Sequence, residues 1–99
     1  MSAFLIVNAK VPNELKKSFD KWYEEFHLPE AHKCFKSKIA FRGWIGENEH
    51  QAFYQFENLS TAKKLLESNE MQKMIKEFDN KWNGKVLRTR QLIDLIQQI

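Results

Sequence analysis

A histidine close behind two aromatic residues, at the end of an amphipathic segment, is the most chemically suggestive feature of this 99-residue chain. His27 closes the run Trp22-Tyr23-Glu24-Glu25-Phe26-His27 and is followed by Leu28-Pro29-Glu30. Imidazole exchanges a proton near neutral pH, so a histidine at the border of an apolar surface can move a proton to or from a bound molecule. The same residue at a helix end can equally serve structure, meeting the last carbonyls and the negative end of the dipole. Other polar or amphipathic side chains that can face a shared cavity are Asn8, in an apolar strand, Trp44 and Tyr54 on a hairpin, and Arg88 and Arg90 on the last strand. Structural roles are open to each: Asn8 can satisfy backbone groups, the tryptophans can fill core and the arginines can pair with carboxylates. The expected site therefore has His27 as its proton-transfer residue and Asn8, Trp22, Tyr23, Trp44 and Tyr54 as ligand contacts.

Several other chemistries lack their signatures. His27 and His32 are five residues apart with a proline between them, which is not the one-face spacing of a helical zinc motif. Cys34 is the single cysteine, so there is neither an internal disulfide nor a cysteine zinc cluster, and it is expected to pack as a small apolar residue. Gly43, Gly46 and Gly84 are isolated, so no phosphate loop forms, and no nucleophile elbow appears. Neither metal nor cofactor is expected. His50 falls in the polar run Gly46-Glu47-Asn48-Glu49-His50 and is expected to be solvated in a turn. The net charge is +3 with lysines and carboxylates interleaved, which argues weakly for any polyanion partner. No signal peptide and no run of about 20 apolar residues is present, so a cytoplasmic protein without membrane contact is the expectation.

The elements that must position these residues follow from periodicity. With 42% apolar residues, the chain suits one folded domain spanning residues 1–99. Phe4 to Lys10 reads as a first strand. Val11-Pro12 breaks it, and Asn13 is a plausible N-cap for a helix to about Phe26. Leu15, Phe19, Trp22, Tyr23 and Phe26 share one helical stripe, which puts His27 beside Tyr23 at its margin. Pro29 should stop or kink the helix, with another short helical turn over Glu30 to Phe35. Lys38 to Ile45 and Gln51 to Glu57 read as an antiparallel hairpin. Ser60 can cap a third helical segment, and Asn69 with Gln72 resembles a capping box for a fourth. There Met71, Met74, Ile75, Phe78 and Trp82 repeat on one face, a pattern of core packing. Asn83-Gly84 ends that helix. Lys85 to about Ile93 gives the last strand, and the tail fits a helical turn as well as a strand.

Strand, helix, strand, strand, helix, strand is the order of an α+β, ferredoxin-like βαββαβ fold: a four-stranded antiparallel sheet with helices on one face. Both sheet faces read as apolar. Phe4 and Ile6 oppose Leu5 and Val7, Phe41 opposes Trp44, and Phe53 opposes Tyr54 and Phe56. A large uncovered apolar face marks an interaction surface, and a second copy packed sheet to sheet is the simplest partner.

The segment Trp22-Tyr23-Glu24-Glu25-Phe26-His27-Leu28-Pro29-Glu30 resembles the helix end of EthD-like proteins in the dimeric α+β barrel superfamily. Phe53-Tyr54-Gln55-Phe56-Glu57 is similar to the third strand of that family, and Ser68-Asn69-Glu70-Met71 to the start of its following helix. The lysine-rich first helix and the Cys34-Phe35-Lys36 link depart from the pattern. The resemblance implies a homodimer with a cavity in each subunit, in which His27 is the recurrent histidine. It also implies a small apolar or aromatic ligand and, if the protein is catalytic, cofactor-free proton transfer or oxygenase chemistry. His27 would then exchange a proton with an enolisable or phenolic ligand while Tyr23 or Asn8 orients it. A non-catalytic binding or scaffold homodimer is the alternative. An RNA-recognition motif shares the element order, but Glu49 occupies its basic site, and Gln51 and Leu5 occupy two of its base-stacking sites. No nucleic-acid partner is therefore expected.

Overall fold

Period-two alternation builds the sheet. In the computed structural model, which describes residues 2–99, β1 (Ala3–Lys10) lies between β3 (Glu49–Phe56) and β4 (Leu87–Asp94). The edge strand β2 (Ala40–Ile45) completes the order β2-β3-β1-β4, with every neighbouring pair antiparallel. Helices cover one face of this ferredoxin-like sheet, as the alternation implies. Leu5 and Ala9 of β1 and His50, Ala52, Tyr54 and Phe56 of β3 are buried beneath them. His50 is thus the first inward residue of a strand rather than a solvated turn residue. The turn is shorter than the polar run suggests, and the Tyr54, Ala52, His50 alternation carries the strand up to Glu49.

The first helix does not stop at Pro29. α1 (Asn13–Trp22) runs into a π-turn over Tyr23–His27 and continues as α2 (Leu28–Phe35). The Leu28 amide reaches back five residues to the Tyr23 carbonyl, the wide register of a π-turn. Pro29, which has no amide hydrogen to donate, sits directly after this turn. The extra residue re-phases the helix. Phe19, Tyr23, His27, Ala31 and Phe35 recur every fourth position and would drift by about 160° around an unbroken α-helix. Absorbing one residue in the π-turn cuts that drift to about 60°. All five are buried, whereas Phe26, on the apolar stripe of the simple periodicity, is 59% exposed.

Three helix starts are framed differently from the sequence expectation. Pro12 precedes α1 without a side-chain cap, and Asn13 lies inside its first turn. The Asn13 side-chain Oδ1 instead accepts from Asn48 Nδ2 at 2.8 Å, tying the helix start to the hairpin turn. α3 (Leu59–Leu66) is capped by Asn58, not Ser60, and α4 (Asn69–Trp82) by Ser68, not Asn69. Asn83 (φ 45°) and Gly84 (φ 78°) end α4 in left-handed conformations, as expected. Beyond Asp94 the tail is irregular. Phe19 is the hub of the core, with the rings of Tyr23, His50 and Trp82 at 5.1, 5.0 and 5.2 Å.

The other sheet face carries no helix. Phe41 stacks on Phe53 at 4.8 Å, Phe4 meets Phe41 edge-on, and Ile45 and Ile93 are exposed. A chain of side-chain amides crosses this apolar surface. Gln51 donates to Asn8 at 2.6 Å, and Asn8 donates to Gln91 at 3.0 Å. Gly43, on the same face, has ordinary backbone angles, and a Cβ placed there would meet nothing within 4 Å. No helix among the described residues is long and apolar enough to cross a membrane.

Candidate functional site

The π-turn delivers His27 to the space between helices and sheet. Its ring stacks on Trp22 at 4.4 Å and 18°, and meets Tyr23 edge-on at 4.8 Å. A stack between residues five apart matches the wider π repeat. Nδ1 lies 3.1 Å from Glu77 Oε1 of α4. A carboxylate only accepts, so Nδ1 carries the proton and donates it to Glu77, which leaves the Nε2 lone pair free. Burial pushes the His27 pKa down, the Glu77 hydrogen bond and charge pull it back, and the Arg88 charge lowers it again; the net shift is downward from 6.5. His27 is therefore neutral at pH 7. Among the described residues the sealed side-chain nitrogens without a partner are His50 Nδ1 and Trp82 Nε1. His27 Nε2, also without a partner, consequently keeps accessible surface.

His27 lines a cavity of about 20 Å³ together with Tyr23 and Tyr54, Met71, Met74 and Phe78, and on the β4 side Arg88 and Arg90. That volume is room for about one water molecule. Burial pushes the Tyr23 hydroxyl up to about 12, with Tyr54 and the charges of Arg88, Arg42 and Arg90 pulling part of the way back. Burial, and then Tyr23, push Tyr54 well above 10. Both are neutral hydrogen-bond donors at pH 7.

Trp44 belongs to a second cluster. Asp20 Oδ1 accepts from Arg42 at 2.8 Å and from Trp44 Nε1 at 2.9 Å, and Arg42 Nη1 also donates to His50 Nε2 at 3.1 Å. Burial raises the Asp20 carboxyl, but the hydrogen bonds from Arg42 and Trp44 outweigh it and hold the pKa below its usual value. Arginine cannot accept, so His50 Nε2 must, and the His50 proton resides on the unpartnered Nδ1.

Of the expected site residues, His27, Tyr23 and Tyr54 meet at the cavity. Trp22 lies behind the imidazole and faces an outer groove with Phe26 and Glu77. Trp44 lines the Arg42 cluster. Asn8 is on the open sheet face and belongs to neither, because residue parity along β1 turns it away from the helices. Glu77 was not foreseen: a half-buried glutamate on α4 has no sequence signal that marks it as a histidine partner. His32 is apart from His27 and bonds to Ser37 Oγ at 2.6 Å. No cluster of metal-ligating side chains forms among the described residues.

No protein-family model and no curated protein sequence matches the chain. Solved structures do. An EthD-family protein from Bacillus halodurans superposes with a TM-score of 0.76 at 19% identity, covering 97% of this chain and 100% of that one. The two chains share the ferredoxin-like α+β fold, a four-stranded antiparallel sheet with helices on one face. A NIPSNAP-family protein of unknown function from Agrobacterium tumefaciens matches this EthD-like fold with a TM-score of 0.69 at 14% identity, covering 95% and 87% of the two chains. SnoaB, a cofactor-independent oxygenase from Streptomyces nogalater, matches with a TM-score of 0.62 at 8% identity, covering 99% and 96%. At such identities the EthD-like likeness concerns the fold, and reaction class does not travel with it.

Proposed function

We propose that this chain binds a small apolar or aromatic molecule at His27 and exchanges a proton with it, as one half of a homodimer joined through the open sheet face. The free Nε2 of a neutral, Glu77-held imidazole beside an apolar cavity carries this reading. A ligand C–H or O–H gives its proton to Nε2, and the bonding electron pair stays on the ligand as an enolate or phenolate. Glu77 stabilises the imidazolium that results. Tyr23, whose oxygen accepts from Tyr54, offers its hydroxyl to the developing oxyanion. The present cavity admits only water, so a larger ligand enters by displacing Met71 and Met74, whose unbranched side chains repack readily. The cofactor-independent oxygenase of similar fold supports small-molecule chemistry on such a scaffold. The uncovered aromatic face supports the homodimer, as does Gly43, since a strand glycine with ordinary angles marks a close approach by another backbone.

A thermal-shift screen across phenols, quinones and lactones tests the site. The expected hit raises the melting temperature of the wild type, and His27→Ala weakens its binding while changing the ligand-free melting temperature little. Unaltered binding together with a large loss of stability in His27→Ala overturns it. For the assembly, light scattering should give a dimer at micromolar concentration, and a stable monomer would count against the sheet-to-sheet pairing.

A further inference from the structure

Arg90 lines the cavity with His27 and has neither a hydrogen bond nor an ion pair among the described residues. Its neighbour on the same face, Arg88, is engaged: Nη2 donates to Asp79 Oδ1 at 3.1 Å, and the guanidinium lies 4.2 Å over the Phe78 ring. Burial is the main force lowering the Arg90 pKa, and the like charge of Arg88 adds to it, with Asp79 and Tyr23 opposing. A guanidinium keeps its proton regardless. The cavity lining therefore includes a permanent, half-buried cation whose donors have no protein partner among the described residues. Arg90 shares the cavity lining with the hydroxyl-bearing residues Tyr23 and Tyr54. An arginine fork beside phenolic donors matches the planar, two-oxygen geometry of a carboxylate. Neutral lactones and quinones would leave the Arg90 donors without a charged acceptor, whereas an anion would engage them.

We infer that Arg90 anchors an anionic oxygen group, so that the ligand is a small aromatic or enolisable carboxylate rather than a neutral molecule. This rests on the proposed site at His27 and adds the ligand's charge. Carboxylate oxygens sit against the guanidinium, and the apolar body lies toward Met71, Met74 and Phe78.

Benzoate and its neutral isostere benzamide separate the two statements. Calorimetry gives their affinities, and the His27 ring resonances report whether either reaches the cavity. Benzoate is expected to bind at least about tenfold more tightly than benzamide, a factor within reach of one charge-assisted bidentate pair. Arg90→Gln should abolish the preference by weakening benzoate binding to about the level of benzamide in the same variant, and Arg90→Lys should keep part of it. Equal affinities, with both compounds shifting the His27 resonances, would overturn the carboxylate assignment and leave the cavity site standing. A preference that survives in Arg90→Gln would also overturn the assignment. If neither compound binds or moves His27, both statements fail.

Discussion

Acidification from pH 7 to pH 4 is expected to weaken the fold, with His50 a principal contributor. Its ring is 1% exposed and is wedged against Phe19, Tyr23 and Trp44, with Nε2 accepting from Arg42. A second proton would convert that acceptor into a donor facing a guanidinium. Burial first, and then the Arg42 charge, push the His50 pKa from 6.5 down to about 4, against the opposing pull of Asp20. Between these values the unfolded chain binds a proton that the folded chain refuses. Stability is thus complete above pH 6.5 and falls as the pH drops toward 4. At about 1.4 kcal/mol per pKa unit, the loss at pH 4 is about 3 kcal/mol, a large part of the roughly 5–15 kcal/mol typical of a domain. Urea unfolding at pH 7 and pH 4 measures it, with His50→Gln as reference, since its amide oxygen can still accept from Arg42. His27, also shifted down, and Asp20 lose stability in the same direction, and the charges of both act on His50, so the difference reports His50 together with that coupling. Equal acid losses in wild type and His50→Gln, or a His50 imidazole titrating near 6.5 in the folded protein, would refute the reasoning.

Phe26→Lys should leave stability within about 0.5 kcal/mol of wild type, because the π-turn faces it outward. Phe19→Ala should cost about 3–5 kcal/mol in urea melts, as the hub of the aromatic core is emptied. Deleting Glu24 would close the π-turn into an α-turn and rotate Ala31 and Phe35 by about 100° relative to α1; near-ultraviolet circular dichroism should show lost aromatic packing. Glu77→Gln keeps an acceptor for Nδ1 but removes the charge, so the His27 pKa should fall further, as an NMR pH titration would show.

The alternation of Leu5, Tyr54 and Phe56 against Phe4 and Phe53 made the sheet and its two faces legible, and the order of elements made the topology so. Helix phase was less legible. A 3.6-residue period places Phe26 inward and His27 at the margin; the recurrence of Phe19, Tyr23, His27, Ala31 and Phe35 every fourth residue, with Pro29 directly after the His27 turn, was the available sign of a π-turn. The caps slipped because Asn58, Ser60, Ser68 and Asn69 cluster, and each can accept from a backbone amide in some frame. The site was half legible. Tyr23, His27 and Tyr54 could be grouped from periodicity, whereas Asn8 was assigned to the cavity from polarity alone, although strand parity faces it away.

Gly43 gives folding and assembly opposite interests in a single methyl group. An isolated subunit has vacant room for a side chain there, and replacing a strand glycine with alanine commonly steadies a chain by about 0.5–1 kcal/mol. In a dimer joined through that face, the same methyl would occupy ground reserved for the other subunit. Gly43→Ala would then melt later as separate subunits and associate less tightly, a divergence that exposes what the bare position is kept for.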